Sequence, residues 1–178
     1  MPIEVPVPGL VVLIGAAGAG KTTLAARLFA PPEIVSSDAL RAAIGGDAAD
    51  QRATRTAFGI LHREVRRRLA AGLLVVVDST NVERMARVSL LRIAAGARAP
   101  AIAIVLIGAA AEIHARNVAR TGRVVPHDVV DRHLARVANL GPDDATIAAH
   151  LRAEGFSAVW ILRMTTDLAG LTVVRAPR

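Results

Sequence analysis

The sequence predicts an α/β domain in which a parallel sheet is covered by helices on both faces. Three apolar runs of strand length support this prediction: residues 10–14, 73–77 and 101–107 consist almost entirely of Val, Leu, Ile and Ala. Segments with helical periodicity separate these runs. Strands with continuous apolar side chains are buried on both faces, and their alternation with helices is typical of a parallel sheet.

The other elements follow in chain order. Helices are expected over residues 21–29, 40–44, 50–71, 82–95 and 143–154. A further helix is expected to begin at residue 110 and run into the block 115–123, and another to begin at residue 126 and include residue 137. Further strands are expected at residues 33–37 and 158–162, and a small edge strand at 171–175. The core-facing residues of the long third helix are expected to be Phe58, Leu61, Val65 and Leu69. The chain has no repeat or interior linker, so residues 1–178 are expected to form one domain.

Composition excludes several classes of protein. The hydrophobic fraction is 53% and the charged fraction 21%, which argues against a disordered chain. The longest apolar stretch, residues 99–111, is shorter than the about 20 residues that cross a bilayer, and no cationic segment precedes an apolar one at the start. The chain has no cysteine, which excludes disulfides and zinc-thiolate sites. We therefore expect a cytoplasmic protein without a membrane partner.

The charge balance suggests a polyanionic partner. The sequence has 22 Lys and Arg against 15 Asp and Glu, a net charge of +7. A general preference for arginine would give the same balance, so charge alone does not identify nucleic acid. Lys21 is the only lysine, and its retention in a chain so rich in arginine points to a chemical role.

A glycine-rich loop follows the first apolar run. Residues 15–22, GAAGAGKT, fit the Walker A pattern G-x-x-x-x-G-K-[ST] between a strand and a helix. Backbone N–H groups and the N-terminus of the next helix are expected to bind nucleotide phosphates. Lys21 is placed to reach the β and γ phosphates, and the Thr22 hydroxyl to ligate Mg²⁺. The predicted nucleotide-binding residues of this loop are Gly15, Gly18, Ala19, Gly20, Lys21, Thr22 and Thr23.

Two carboxylates follow predicted strands. Asp78 ends the run at 73–77, the Walker B position, and Asp38 follows the strand at 33–37. Both are expected beside the glycine-rich loop, because the carboxyl ends of parallel strands meet at one sheet edge. Asp78 is expected to support the Mg²⁺ held by Thr22, although it also has the position of a helix cap. For Asp38, a general base and a helix N-cap fit the position equally well.

Four sequence blocks resemble the kinase module of bacterial polynucleotide kinase-phosphatase, which is related to phage polynucleotide 5′-kinase. They are VVLIGAAGAGKTTLA, EIVSSDALR, LLVVVDSTN and ARNVARTGR. The resemblance extends from about residue 10 to residue 164 and implies a P-loop kinase fold with an arginine-rich helical lid near residues 114–126. It also implies transfer of the γ-phosphate of ATP, or another NTP, to the 5′-hydroxyl end of RNA or DNA, with Mg²⁺, in nucleic-acid repair.

The same resemblance implies a role for each matching residue. Asp38 would be the general base, and Arg41 would hold a phosphate near the reacting centre. The lid would supply three arginines to the NTP: Arg116, Arg120 and Arg123. Lys21 and Arg116 join Asp38 and Arg41 as the expected catalytic residues. Three further positions receive no defined role: Asn81, Arg87 and His127.

Two other functions fit the same motifs. A kinase of a small metabolite, such as a sugar or a nucleoside, would use the same donor chemistry. A nucleotide-dependent switch without transfer would also need the Walker A loop, but it gives no reason for Asp38 and Arg41 at the acceptor side. The histidines are expected in core or surface roles, because His127 and His133 are six residues apart and do not share a helix face.

Overall fold

The computed structural model describes residues 2–44, 51–120, 124–164 and 170–177. Its strands are β1 (Pro2–Val7), β2 (Gly9–Ile14), β3 (Ile34–Ser36), β4 (Leu74–Asp78), β5 (Ala101–Ile107), β6 (Ala158–Arg163) and β7 (Thr172–Pro177). Its helices are α1 (Lys21–Leu28), α2 (Ser37–Ile44), α3 (Gln51–Ala70), α4 (Arg84–Gly96), α5 (Ala110–Val118), α6 (His127–Ala138) and α7 (Asp144–Glu154). A short 3-10 helix, Pro31–Glu33, precedes β3.

The main sheet is parallel, and the described strands in it lie in the order β3-β4-β2-β5-β6. The strand before the glycine-rich loop, β2, is central and pairs with β4 on one side and β5 on the other. Every residue of β2 and β4 is buried. This double-sided burial explains why both strands are continuous apolar runs, and it confirms the predicted α/β class.

Helices cover both faces of this sheet, as the sequence predicts. On one face, Val11 and Leu13 of β2 pack with residues of α1, α5 and α6. On the other face, Leu10, Val12 and Ile14 pack with residues of α3, α4 and α7. Alternate residues of one strand therefore belong to two separate cores. Among the described residues, no helix is long and apolar enough to span a membrane.

The expected edge strand near the C-terminus lies elsewhere. It forms β7, which pairs in parallel with β1 in a separate two-stranded sheet instead of extending the main sheet. The sequence analysis did not predict β1, because Pro2 and Pro6 interrupt its pattern and proline is unfavourable in strands. Ile3 and Val5 of β1 are nonetheless fully buried in the core beside α1.

Of the segment predicted as a helical lid, residues 114–126, the structure describes residues 114–120 and 124–126. Helix α5 ends at Val118, and residues 124–126 have no regular structure. The buried Asn117 side chain holds Val125 beside α5. Its Nδ2 donates to the Val125 carbonyl at 2.8 Å, and its Oδ1 accepts from the Val125 N–H at 3.2 Å. The Asn117 amide thereby satisfies both the backbone N–H and the backbone carbonyl of Val125.

Candidate phosphoryl-transfer site

The glycine-rich loop connects β2 to α1 at the carboxyl edge of the sheet. Gly18 and Gly20 have φ angles of 91° and 90°, a left-handed conformation that favours glycine. A Cβ atom on Gly18 would also collide with the carbonyl oxygen of Ile113 in α5. The two glycines thus let the loop curve tightly and approach α5 closely, in front of the N-terminus of α1, where anions bind favourably.

Lys21 is buried beneath this loop, with only 8% of its surface exposed. Its Nζ donates hydrogen bonds to the carbonyl oxygens of Gly15, at 2.9 Å, and Ala16, at 2.7 Å. Burial lowers the pKa of the Lys21 ammonium to about 8; Asp78 opposes this shift and Arg120 adds to it. The loop therefore fixes the position of the one lysine before any phosphate binds.

Thr22 and Asp78 meet as their motifs predict. The Thr22 hydroxyl donates to Oδ2 of Asp78 at 2.8 Å, across 56 residues of sequence. Asp78 is only 5% exposed at the end of β4. A hydroxyl and a carboxylate at the edge of a phosphate-binding loop are the oxygen donors that Mg²⁺ prefers, so these residues fit the ion that the fold implies.

Asp38 lies in the first turn of α2, two residues after Ser36, which pairs with Asp78 across β3 and β4. Its side chain is half exposed and forms an ion pair with Arg41. Its other oxygen lies 3.7 Å from Nη2 of Arg120. The carboxylate thus stands between an arginine of its own helix and an arginine that follows α5.

Two of the three arginines predicted for a lid, Arg116 and Arg120, border the site. Arg116 of α5 pairs with Glu112 on the same helix at 2.6 Å, and its Nη1 lies 3.9 Å from the position that a Cβ on Gly20 would take. Arg120 reaches across to Asp38. Arg123 lies outside the described residues. The two described lid arginines therefore approach the loop side and the α2 side respectively.

A cavity of about 370 Å³ joins these groups. Many of the predicted site residues line it: Gly18, Gly20, Lys21, Thr22, Thr23, Asp38, Arg41, Asp78, Arg116 and Arg120. Gly15 and Ala19 do not line the cavity. The Gly15 carbonyl anchors Lys21, and the Ala19 N–H donates to the Ala16 carbonyl within the loop. Their contribution is to shape the loop.

The sequence analysis missed some residues of this cavity, of which Phe58 is the most informative. Phe58 was expected in the core with Leu61, but it is only half-buried and lines the cavity beside Ser37 and Asp38. It also contacts the His62 ring, with centroids 6.5 Å apart. Its place on the apolar side of α3 gave no signal that it would reach the site, because that depends on how α3 packs against α2.

Asn81 and Arg87 do not line the cavity, but their hydrogen bonds hold the turn that follows β4. Asn81 is buried, and its Nδ2 donates to the Leu13 carbonyl of β2 at 2.8 Å. Arg87 is 2% exposed and forms two 2.7 Å hydrogen bonds with the buried Glu154. Its Nη1 donates to the carbonyls of Asn81 and Val82. These side chains fix the turn after β4, and hence the position of Asp78.

Comparison with known proteins identifies the fold. Residues 10–140 match the family model described as an AAA domain. No curated protein matches this sequence significantly. The solved structures with similar folds include kinases, and their likeness, together with the family match, shows that this chain has the P-loop kinase fold.

Three solved structures illustrate the range of proteins with this fold. Kti12 from Chaetomium thermophilum, in complex with ADP-AlF3, has a TM-score of 0.63 and 23% identity, covering 90% of this chain and 92% of that one. A sugar kinase from Janibacter sp. HTCC2649 has a TM-score of 0.57 and 21% identity, with 89% and 87% coverage. A chain of the Pnkp1/Rnl/Hen1 RNA repair complex has a TM-score of 0.63 and 20% identity, covering 73% of this chain and 44% of that one.

Proposed function

The chain belongs to the AAA domain family, and we propose that it is an NTP-dependent kinase that phosphorylates the 5′-hydroxyl end of a polynucleotide. One observation supports this most directly: Lys21 and Asp38 line the same cavity, with Arg120 beside both. A phosphate-binding cation and an available carboxylate within one cavity are what a phosphoryl transfer to an alcohol requires.

The donor side of the proposed reaction is formed by the loop and α1. Backbone N–H groups and Lys21 hold the phosphates, and the ammonium exchanges its bonds to the Gly15 and Ala16 carbonyls for bonds to phosphate oxygens. Arg116 and Arg120 supply positive charge where negative charge develops during transfer. Thr22 and Asp78 would hold Mg²⁺, which neutralises phosphate charge when bound.

The acceptor side is formed by α2 and α3. Asp38 accepts the proton of the 5′-hydroxyl as that oxygen attacks the γ-phosphorus and the bond to the bridging oxygen of the NDP breaks. Arg41 and Arg120, which pair with Asp38, orient the carboxylate and can turn toward phosphate oxygens. The half-exposed position of Asp38 leaves room for an acceptor to approach from solvent.

The surface beside the acceptor side favours a polynucleotide. Three exposed arginines share one side of α3, next to the apolar face that includes Phe58: Arg55, Arg63 and Arg66. None of them forms an ion pair with a described residue. Together with the net charge of +7, this row of cations offers contacts to the phosphates that follow a 5′ end.

The direct test is transfer from γ-labelled ATP with Mg²⁺ to a panel of acceptors. We expect labelling of 5′-hydroxyl RNA or DNA oligonucleotides and none of the matched 5′-phosphorylated oligonucleotides. The panel also contains sugars and free nucleosides, because the fold is shared with a sugar kinase. If only a small alcohol is labelled, the acceptor is a metabolite and not a polynucleotide. If the protein binds nucleotide but transfers phosphate to no acceptor, it acts as a switch.

A salt titration tests the proposed polynucleotide surface. The acceptor KM should rise with salt, with a slope in log–log form of about 0.7 for each phosphate contacted on a single strand. Arg63→Ala and Arg66→Ala should each reduce this slope, whereas Arg152→Ala, an exposed arginine on α7, should not. A KM that does not depend on salt would contradict a polynucleotide acceptor.

A further inference from the structure

One histidine of α5 lies against a histidine and an aspartate of α6, outside the phosphoryl-transfer cavity. His114 of α5 and His127 of α6 stack with ring centroids 3.6 Å apart and planes inclined by only 7°. His114 Nε2 lies 2.8 Å from one oxygen of Asp131, and His127 Nδ1 lies 3.0 Å from the other. None of the three lines the cavity that contains Lys21.

The chemistry of this group is that of a transition-metal site. A ring nitrogen of each histidine and a carboxylate oxygen of Asp131 all lie within 4.8 Å of one another. Imidazole suits zinc and its neighbours in the first transition series, whereas Mg²⁺ and Ca²⁺ prefer oxygen donors alone. Two imidazoles with one carboxylate form a recurring protein donor set for Zn²⁺, with the fourth position left to water.

We propose that His114, His127 and Asp131 bind a divalent transition-metal ion, with Zn²⁺ the best fit. The ion replaces the two histidine–aspartate hydrogen bonds and draws all three donors toward one centre. The required movement is small and local, because the side chains of His127 and Asp131 are 73% and 55% exposed and can turn at the surface. His114, which is 16% exposed, provides the fixed member of the set.

The position of this group gives the ion a structural consequence. His114 lies one turn before the end of α5, and His127 is the first residue of α6. The connection between these helices carries Arg120, which pairs with Asp38. A bound ion therefore ties the two helices together at the base of the connection that brings an arginine to the cavity.

Calorimetric titration of metal-free protein with Zn²⁺ tests the proposal. The full chain is used without a polyhistidine tag and without nucleotide, so that binding does not depend on the proposed kinase activity. We expect one saturable site. His127→Ala and Asp131→Asn should each weaken Zn²⁺ binding by about tenfold or more, since even residues that only support a metal ligand typically contribute 10–100-fold.

Matched controls identify where the ion binds. His150→Ala removes another histidine that lies near a carboxylate, Glu154 at 3.4 Å, and should leave Zn²⁺ affinity unchanged. Titration with Co²⁺ should produce the intense visible absorption of a tetrahedral site in the wild type and not in His127→Ala. The proposal is overturned if no saturable binding occurs, if all variants bind equally, or if binding is lost in Asp78→Asn but retained in His127→Ala.

The same variants address folding. His127 is highly exposed, so its replacement should leave the thermal unfolding midpoint of the metal-free protein unchanged. Zn²⁺ should raise that midpoint in the wild type and in His150→Ala, because a ligand that binds only the folded state stabilises it. An equal rise in His127→Ala would show that the ion binds elsewhere and would contradict the proposal.

Discussion

The donor and acceptor sides of the cavity are built differently. On the donor side, Lys21 and Asp78 are 8% and 5% exposed and are held by hydrogen bonds to loop carbonyls and to Thr22. On the acceptor side, the side chains of Asp38 and Arg41 are 50% and 23% exposed and form an ion pair with each other, and Asp38 forms a second, longer one with Arg120. Exposed ion pairs contribute little stability, so these side chains can rearrange.

We interpret this difference as a fixed donor side next to an adjustable acceptor side. A buried, internally bonded donor side is fixed before the nucleotide binds, and it serves any acceptor equally well. On the proposed function, we expect the open acceptor side, whose side chains can exchange protein partners for substrate partners, to determine which alcohol reacts. Variants on the two sides should therefore affect different kinetic constants.

The largest effect that separates the two sides is expected for Asp38→Ala. Loss of the general base should reduce kcat by about 10²–10⁴-fold, because proton transfer from the hydroxyl then lacks an acceptor. The NTP dissociation constant, measured by calorimetry, should change little, since Asp38 lies on the acceptor side. Asp144→Ala, which removes another exposed carboxylate paired with an arginine, is the matched control and should retain full activity. Retained activity in Asp38→Ala would assign the base to another residue.

A comparably large effect, on stability and not on rate, is expected when the ion pair between Arg87 and Glu154 is broken. Among the described residues, Arg87→Met leaves the buried Glu154 with the longer contacts to Arg84, at 3.8 Å, and His150, at 3.4 Å. Removing one partner of a buried ion pair costs about 3–5 kcal/mol of unfolding free energy, measurable by urea denaturation. Replacing Glu154 by Leu in the same chain should restore much of the loss, whereas Arg132→Met, at an exposed pair, should change little. Equal stability of Arg87→Met and wild type would contradict the supporting role.

The donor side should also respond to pH through Lys21. Because burial lowers its pKa from 10.5 to about 8, the folded protein releases this proton at a lower pH than the unfolded chain does. Between these two values the unfolded state binds more protons, so stability rises with pH. A shift of this size corresponds to about 3 kcal/mol. The difference in unfolding free energy between wild type and Lys21→Met, measured without nucleotide, should be constant below pH 8 and grow in favour of wild type above it. If the unfolding free energies of the two proteins changed in parallel above pH 8, the lowered pKa of Lys21 would be contradicted.

The donor side and the central strands could be predicted from sequence because their signals are local. The bounds of β2, β4 and β5 agree with the apolar runs to within one residue, since burial on both faces requires apolar side chains at every position. The approach of Thr22 to Asp78 follows from strand polarity, because Asp78 ends β4 and Thr22 lies in the first turn of the helix that follows the loop after the neighbouring parallel strand β2.

The remaining features depend on tertiary packing that no local pattern encodes. The partner of β1 is β7, about 170 residues away, and the prolines of β1 conceal its alternation. His114 and His127 lie on different helices, so spacing within one helix could not indicate that they meet. Arg87 has no defined role in the sequence, and its ion pair with Glu154 of α7 in the interior joins residues 67 positions apart. Long-range pairing decided each of these outcomes.

The smallest predicted effect probes how the acceptor side recognises its substrate. Phe58 is a half-buried ring that lines the cavity beside Asp38, so we expect it to contact the face of the terminal nucleobase. Stacking of a base on an aromatic side chain contributes about 1–3 kcal/mol, and Phe58→Ala should raise the oligonucleotide KM by roughly 5- to 150-fold. Phe58→Leu keeps apolar volume without a ring and should show much of the same defect, whereas Phe58→Trp should bind at least as well as wild type. The NTP KM should not move in any of the three, because Phe58 belongs to α3 on the proposed acceptor side and contributes no bond to the glycine-rich loop. Equal effects on both substrates, or full activity in the leucine variant, would reduce Phe58 to a packing residue between α2 and α3.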